Sequence, residues 1–267
     1  MTLALSTVLA NRQLDGDLVR FDVTEDWAQG RTLFGGFLSA LAVVAMRDSL
    51  SLDLPLRALQ VNFVGPVAPG SVQFRTRLLR QGKNVAQVQT EIWAADELAG
   101  LVVGVFGVAR ASQLPVKTLE RPVFPKTADE CFQLPFIPKI TPNFIQHIDM
   151  RWAVGSVPYA GADFWESGIY LRSKEASISQ ELQIVMLSDG PPTPSLCQFK
   201  GPVMGSSVSW SLELPTLKPT EWDAEDWFQI AMDTQAASEG YVNQTAKLWA
   251  PDGQLASLGY QVVAVYG

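Results

Sequence analysis

The sequence predicts an α+β chain written twice, each copy a long antiparallel sheet wrapped around one buried helix. Three observations predict it. A hairpin is duplicated: Glu91-Ile-Trp-Ala-Ala-Asp96 followed by Glu97-Leu-Ala-Gly-Leu101 recurs as Lys247-Leu-Trp-Ala-Pro-Asp252 followed by Gly253-Gln-Leu-Ala-Ser-Leu258, with one extra glycine in the later turn. Each half carries a single long helical stretch among several strand-like ones, which excludes the alternating order of a parallel sheet. At 267 residues the chain can also supply two modest cores.

In the first half, Leu18, Phe21 and Val23 alternate with polar neighbours and predict a strand over residues 14–24. Trp27 to Gly36 reads as a loop ending in two glycines. Phe37 to Arg47, apolar on nearly every side, reads as a helix buried all round. Strands are expected over 56–64, 72–81, 85–93 and 98–109, with Gly82-Lys-Asn84 as a hairpin turn. Residues 113–142 carry Pro115, Pro122, Pro125, Pro135, Pro138 and Pro142 and read as a linker crossing the surface. It would separate a domain over 1–112 from one over 143–267. The second half repeats the order: strands near 148–152 and 168–172, a helix over 178–189, then strands at 203–214, 227–235, 241–249 and 255–266.

Composition narrows the function classes. Apolar residues make up 47% and charged ones 18%, a globular balance. No apolar run is long enough to span a membrane, and the N-terminus lacks the basic lead of a signal peptide. Cys131 and Cys197 stand alone and make no disulfide framework, so a soluble cytoplasmic protein is expected. A net charge of −7 with no Lys/Arg cluster argues against a general nucleic-acid binder but allows an anionic small ligand. His147 is the only histidine, so any triad or His-ligated zinc site would depend on it. Its alternating setting reads as an exposed residue on the opening strand of the second half. Carboxylates, hydroxyls, amides and backbone groups are left to do any chemistry.

Four features could carry it. Asp189 closes the second helix before Gly190-Pro-Pro192; the glycine and prolines are ordinary stop signals, but the acid faces the negative end of the helix dipole. Gln261 interrupts an apolar strand, where an amide needs a partner, a cavity or solvent. Ser207 lies in Gly205-Ser-Ser-Val-Ser-Trp-Ser211, where alternating serines leave the choice of hydroxyl open. Gly35-Gly36 before the first helix permits close approach, either of a ligand carbonyl to free backbone amides or simply of a packing neighbour. The duplication sharpens these readings. Gly104 falls opposite Gln261, Val43 opposite Asp189, and Glu181-Leu182 opposite Gly35-Gly36, so each half lacks what the other has.

Together these pieces resemble the acyl-CoA thioesterase II-like family, whose members have a double hotdog fold. The resemblance rests on Phe34-Gly-Gly-Phe-Leu-Ser-Ala-Leu-Ala42, Leu79-Arg-Gln-Gly-Lys-Asn-Val-Ala-Gln-Val-Gln89, Leu187-Ser-Asp-Gly-Pro-Pro192 and Trp249-Ala-Pro-Asp-Gly-Gln-Leu-Ala-Ser257 with Gln261. It covers nearly the whole chain. It implies hydrolysis of acyl-CoA to CoA and a carboxylic acid without a cofactor or metal. The water would be held by an Asp, a Ser or Thr, and a Gln, which fall on Asp189, Ser207 (with Ser209 as the rival) and Gln261. Phe34, Gly35 and Gly36 would contact substrate. A homo-oligomer, a dimer or tetramer, is expected by analogy. Two other readings stay open: a hotdog hydratase acting on an enoyl thioester, and a non-catalytic acyl-CoA or lipid binder.

Overall fold

The computed structural model describes residues 2–175, 177–215, 222–223 and 225–266. The first half opens with a short helix α1 (Leu5–Ala10), followed by strands β1 (Gln13–Asp15) and β2 (Leu18–Val23) and a small hairpin of β3 (Ala28–Gln29) and β4 (Thr32–Leu33). Helix α2 (Gly35–Leu50) comes next, and then β5 (Leu56–Phe63), β6 (Gly70–Gln81), β7 (Val85–Ala94) and β8 (Glu97–Gly107). A two-residue strand β9 (Phe132–Gln133) leads into the second half. That half contains β10 (Ile148–Val154), β11 (Glu166–Ser173), α3 (Gln180–Ser188), β12 (Met204–Glu213), β13 (Phe228–Ser238), β14 (Tyr241–Trp249) and β15 (Leu255–Tyr266).

Among the described residues thirteen strands form one sheet in the order β1-β2-β6-β7-β8-β5-β12-β15-β14-β13-β11-β10-β9. Read outward from the central β5–β12 pair, the two halves list their strands in the same sequence. The registers agree residue by residue. Gly104 pairs with Leu59 and Val88, as Gln261 pairs with Trp210 and Gln244. Across the seam Leu59 faces Leu212 and Val61 faces Trp210, the pairing that a two-fold relation between the halves requires. Even an irregularity is repeated, between Leu78 and Arg80 in β6 and between Thr234 and Ala236 in β13.

The helices lie in the concavity of this sheet and pack on each other. Helix α2 buries Phe37, Leu38, Ala40, Leu41 and Val43 among its residues, so it has no solvent face to advertise, as its uniformly apolar sequence dictates. Ser51 ends it in the left-handed region (φ 50°) with its N–H on the Arg47 carbonyl. Helix α3 begins where the Ser179 side chain accepts from the Leu182 N–H. One continuous apolar core contains residues of both halves, from Phe21 and Phe74 to Ile169 and Phe228.

Several expectations change. The first strand is a hairpin, not one run, because Gly16 turns the chain at φ 63°. Helix α2 starts two residues early, taking Gly35 and Gly36 into its first turn, and extends to Leu50. Helix α1 has no counterpart in the sequence reading. It is held from the second half, where the Glu175 carboxylate accepts from the Leu5 and Ser6 N–H groups. Within the proline-rich segment, β9 pairs with β10 and extends the sheet by one short strand.

His147 is not an exposed strand residue. It caps a 3-10 turn over Asn143–Gln146, its ring stacks on Trp27 at 3.7 Å, and its Nε2 lies 2.7 Å from Asp26 Oδ2. Burial lowers its pKa, against the opposing pull of the Asp26 carboxylate. The alternation that suggested a strand belongs to residues beginning one position later, at Ile148.

Candidate active site

The two helices run antiparallel, so the N-terminus of α2 meets the C-terminus of α3. Asp189 is the C-cap of α3 and stands at that junction. A Cβ added to Gly35 would lie 2.8 Å from Asp189 Oδ2, and one added to Gly36 would lie 2.7 Å from the Met186 carbonyl oxygen and 3.0 Å from Asp189 Cβ. The glycine pair is therefore required for helix-end contact: any side chain there would displace the carboxylate or its helix. The same arrangement answers the electrostatic objection to an acid at a helix C-terminus. The carboxylate leaves the negative end of α3 only to enter the positive end of α2, where first-turn amides have no intrahelical acceptor. The Gly36 N–H donates to it.

The end of α3 is fixed to the sheet beside it. Ser188 Oγ lies 2.7 Å from both the Ile184 carbonyl and Ser257 Oγ on β15, and both serines are buried. Four residues along β15, Gln261 points to the same inner face. Its Nε2 donates to Asp189 Oδ1 at 2.8 Å and to Ser207 Oγ at 2.9 Å. Asp189, Gln261 and Ser207 thus form one hydrogen-bonded cluster.

The choice between the two candidate hydroxyls is made by a bulge. Along an unbroken strand Ser207, Ser209 and Ser211 would share the face opposite buried Trp210 and Leu212, and all three would point outward. The register shifts between Ser207 and Ser209, so that Ser207 pairs with Val263 whereas Ser209 pairs with Val262. Val263 lies two residues from Gln261, so the extra residue, Val208, turns Ser207 onto the inner face and leaves Ser209 on the outer one.

Asp189 is half-buried, and its carboxyl is pushed up to about 7. Desolvation is the main cause, opposed by the Gln261 and Gly36 hydrogen bonds. Its partners are amides rather than cations, so nothing offsets the burial outright. A carboxyl with this affinity for a proton, placed beside a hydroxyl and an amide, is suited to accept a proton near neutral pH and return it. Among the described residues no cluster of three or more His, Cys, Asp or Glu could hold a metal ion.

Family models match both halves of the chain. Residues 23–111 match the acyl-CoA thioesterase N-terminal domain and residues 127–265 the acyl-CoA thioesterase C-terminal domain. The chain belongs to the acyl-CoA thioesterase family. Similar solved structures include a hot dog-fold protein of Alicyclobacillus acidocaldarius (TM-score 0.83, 18% identity, 100% of this chain and 99% of that one). They also include the tesB protein of Mycobacterium avium subsp. paratuberculosis (0.77, 14%, 99% and 100%) and the acyl-CoA thioesterase II TesB2 of Mycobacterium marinum (0.72, 13%, 95% and 94%). At these identities the likeness is one of fold, and the fold is the double hotdog. No curated protein sequence matches the chain.

In this thioesterase-family chain the opposite pair of helix ends, the C-terminus of α2 against the N-terminus of α3, is filled. Arg47 forks onto Glu181 with Nε to Oε1 at 2.8 Å and Nη2 to Oε2 at 2.6 Å. The same guanidinium donates to the Leu52 and Leu54 carbonyls and lies over the Phe106 ring. One residue of the cluster escaped the sequence reading. Gln244, fully buried on β14, donates from Nε2 to Gln261 Oε1 at 2.8 Å. The available signal was parity: Val242, Gln244, Ala246 and Leu248 alternate inward, and only Gln244 among them carries an amide.

Proposed function

We propose that the protein hydrolyses acyl-CoA thioesters with a water held by Asp189, Ser207 and Gln261. The supporting observation is their convergence on the N-terminus of α2. Because Ser207 Oγ accepts from Gln261, its own hydrogen is free to donate to the water oxygen. Asp189, whose carboxyl is pushed up to about 7, accepts in its ionised form a proton from that water as its oxygen attacks the thioester carbon. The carbonyl oxygen becomes an oxyanion and lies against the first-turn amides of α2, beside the Gly36 N–H that already serves a carboxylate oxygen. Collapse of the tetrahedral intermediate breaks the carbon–sulfur bond. The proton on Asp189 passes to the departing thiolate, and CoA and a carboxylic acid leave.

The test is a panel of acyl-CoAs, from acetyl to long-chain and aromatic, incubated with the protein and a thiol reagent. Free thiol should appear with at least one substrate, and Asp189→Asn should slow its release by about 10²–10⁴-fold while the far-ultraviolet circular dichroism stays unchanged. A change in ultraviolet absorbance without thiol release would instead mark a hydratase. Saturable binding with neither signal would mark a binding protein.

A further inference from the structure

We infer that Gln244 is a positioning residue for the water-holding cluster, fixing which end of the Gln261 amide faces Asp189 and Ser207. The inference rests on the hydrolytic reading above. A glutamine amide has two ends of nearly equal shape and opposite polarity. Turned one way, Gln261 presents its NH2 group to the Asp189 carboxylate and to Ser207 Oγ, as observed. Turned the other way, it would set its oxygen against the carboxylate, acceptor against acceptor, and would compete for the Ser207 hydrogen that the water needs. Neither Asp189 nor Ser207 alone excludes the inverted form, because a protonated Asp189 can donate to an amide oxygen, and with its pKa near 7 that species is abundant at neutral pH. With Gln244 held as observed, the inverted form is disfavoured in both protonation states. Gln244 Nε2 donates to Gln261 Oε1 at 2.8 Å, so inversion of Gln261 would place NH2 against NH2 in a buried site.

The placement of Gln244 follows the site and not the fold. At the equivalent position of the first half stands Val88, beside Gly104 where the second half has Gln261. The polar row also continues outward. Thr234 is the cross-strand partner of Gln244, and Thr234 Oγ1 and Gln244 Oε1 are both buried without a partner among the described residues.

The experiment uses Gln244→Val, the side chain the other half carries at this point, and Gln244→Met, which keeps the length without the amide. With the best acyl-CoA, both should lower kcat roughly tenfold with KM within about twofold, and should move the acid limb of kcat/KM to higher pH as the carboxylate loses a reliable donor. In a Gln261→Ala background neither should lower kcat further, because Gln244 acts only through Gln261. Asp189 titration, followed by carboxyl carbon NMR and assigned with Asp189→Asn, should show the same upward move without any substrate. If both variants keep the wild-type pH limb and carboxyl titration while Gln261→Ala is impaired, Gln244 has no positioning role and the hydrolytic reading survives. If Asp189→Asn and Gln261→Ala both turn over like wild type, the hydrolytic reading fails instead.

Discussion

The two halves share strand order, register and even a repeated β-irregularity, yet one row of side chains across the sheet differs completely. In the second half it runs Thr234, Gln244, Gln261, Trp210; in the first half the same positions hold Leu78, Val88, Gly104 and Leu59. The first-half row is closed by packing: a Cβ on Gly104 would lie 2.6 Å from the Met46 sulfur, so α2 fills the space that Gln261 occupies in its twin. The helix ends diverge in the opposite sense. Gly35 and Gly36 open a place for Asp189 at one junction, while Arg47 and Glu181 plug the other. Duplicated architecture thus presents two equivalent helix junctions, one holding a polar cluster and the other a sealed contact.

Three measurements test that contrast. The largest effect is expected from the bulge. Ser207→Ala should lower kcat by about 10- to 100-fold, and Ser209→Ala, on the outer face, should leave it within about twofold. Equal effects would mean that the inner cluster is not the reacting one. Next is pH. Asp189 is raised in the folded chain, so between its unfolded value of 3.8 and about 7 the native state holds a proton that the unfolded state releases. Its contribution to stability is therefore fully present below the lower value and is lost as pH rises through about 7. The melting temperature of wild type relative to Asp189→Asn should fall across that window and level off above it; a flat difference would place the carboxyl in an ordinary, solvated setting. The smallest effect concerns the plugged junction. Glu181→Gln should leave turnover unchanged and shift stability by about 1 kcal/mol, because it removes the ion pair alone and leaves Arg47 on the Leu52 and Leu54 carbonyls. Loss of activity in that variant would show that the two junctions are coupled rather than separate.

Much of this was legible in the sequence, and what was not has identifiable causes. The duplicated hairpin and the apolar stretch after Gly36 sufficed for the double architecture, because periodicity and burial are properties of neighbouring residues. Asp189 and Gln261 were visible because each violates a local rule, an acid at a helix C-terminus and an amide in an apolar strand. Ser207 could not be separated from Ser209, since the residue that reverses its facing is Val208, and nothing local marks a valine as bulged. His147 misled for a related reason: one 3-10 turn ahead of β10 shifts it out of the strand, and its partners, Asp26 and Trp27, lie more than a hundred residues away. Gln244 was hidden by its setting, because polar residues on both sides of it make an inward amide look like one more outward one.

The margins of the sheet carry a consequence of their own. Joining the halves through β5 and β12 removes what would otherwise be two long free edges, and the edges that remain belong to β1, three residues long, and β9, two residues long. An unpaired strand is a template for a neighbouring molecule, and its danger grows with its length and flatness. Such short hems limit the outermost backbone that an incoming chain could copy, so the fusion that allowed the halves to diverge also narrows the room for strand addition.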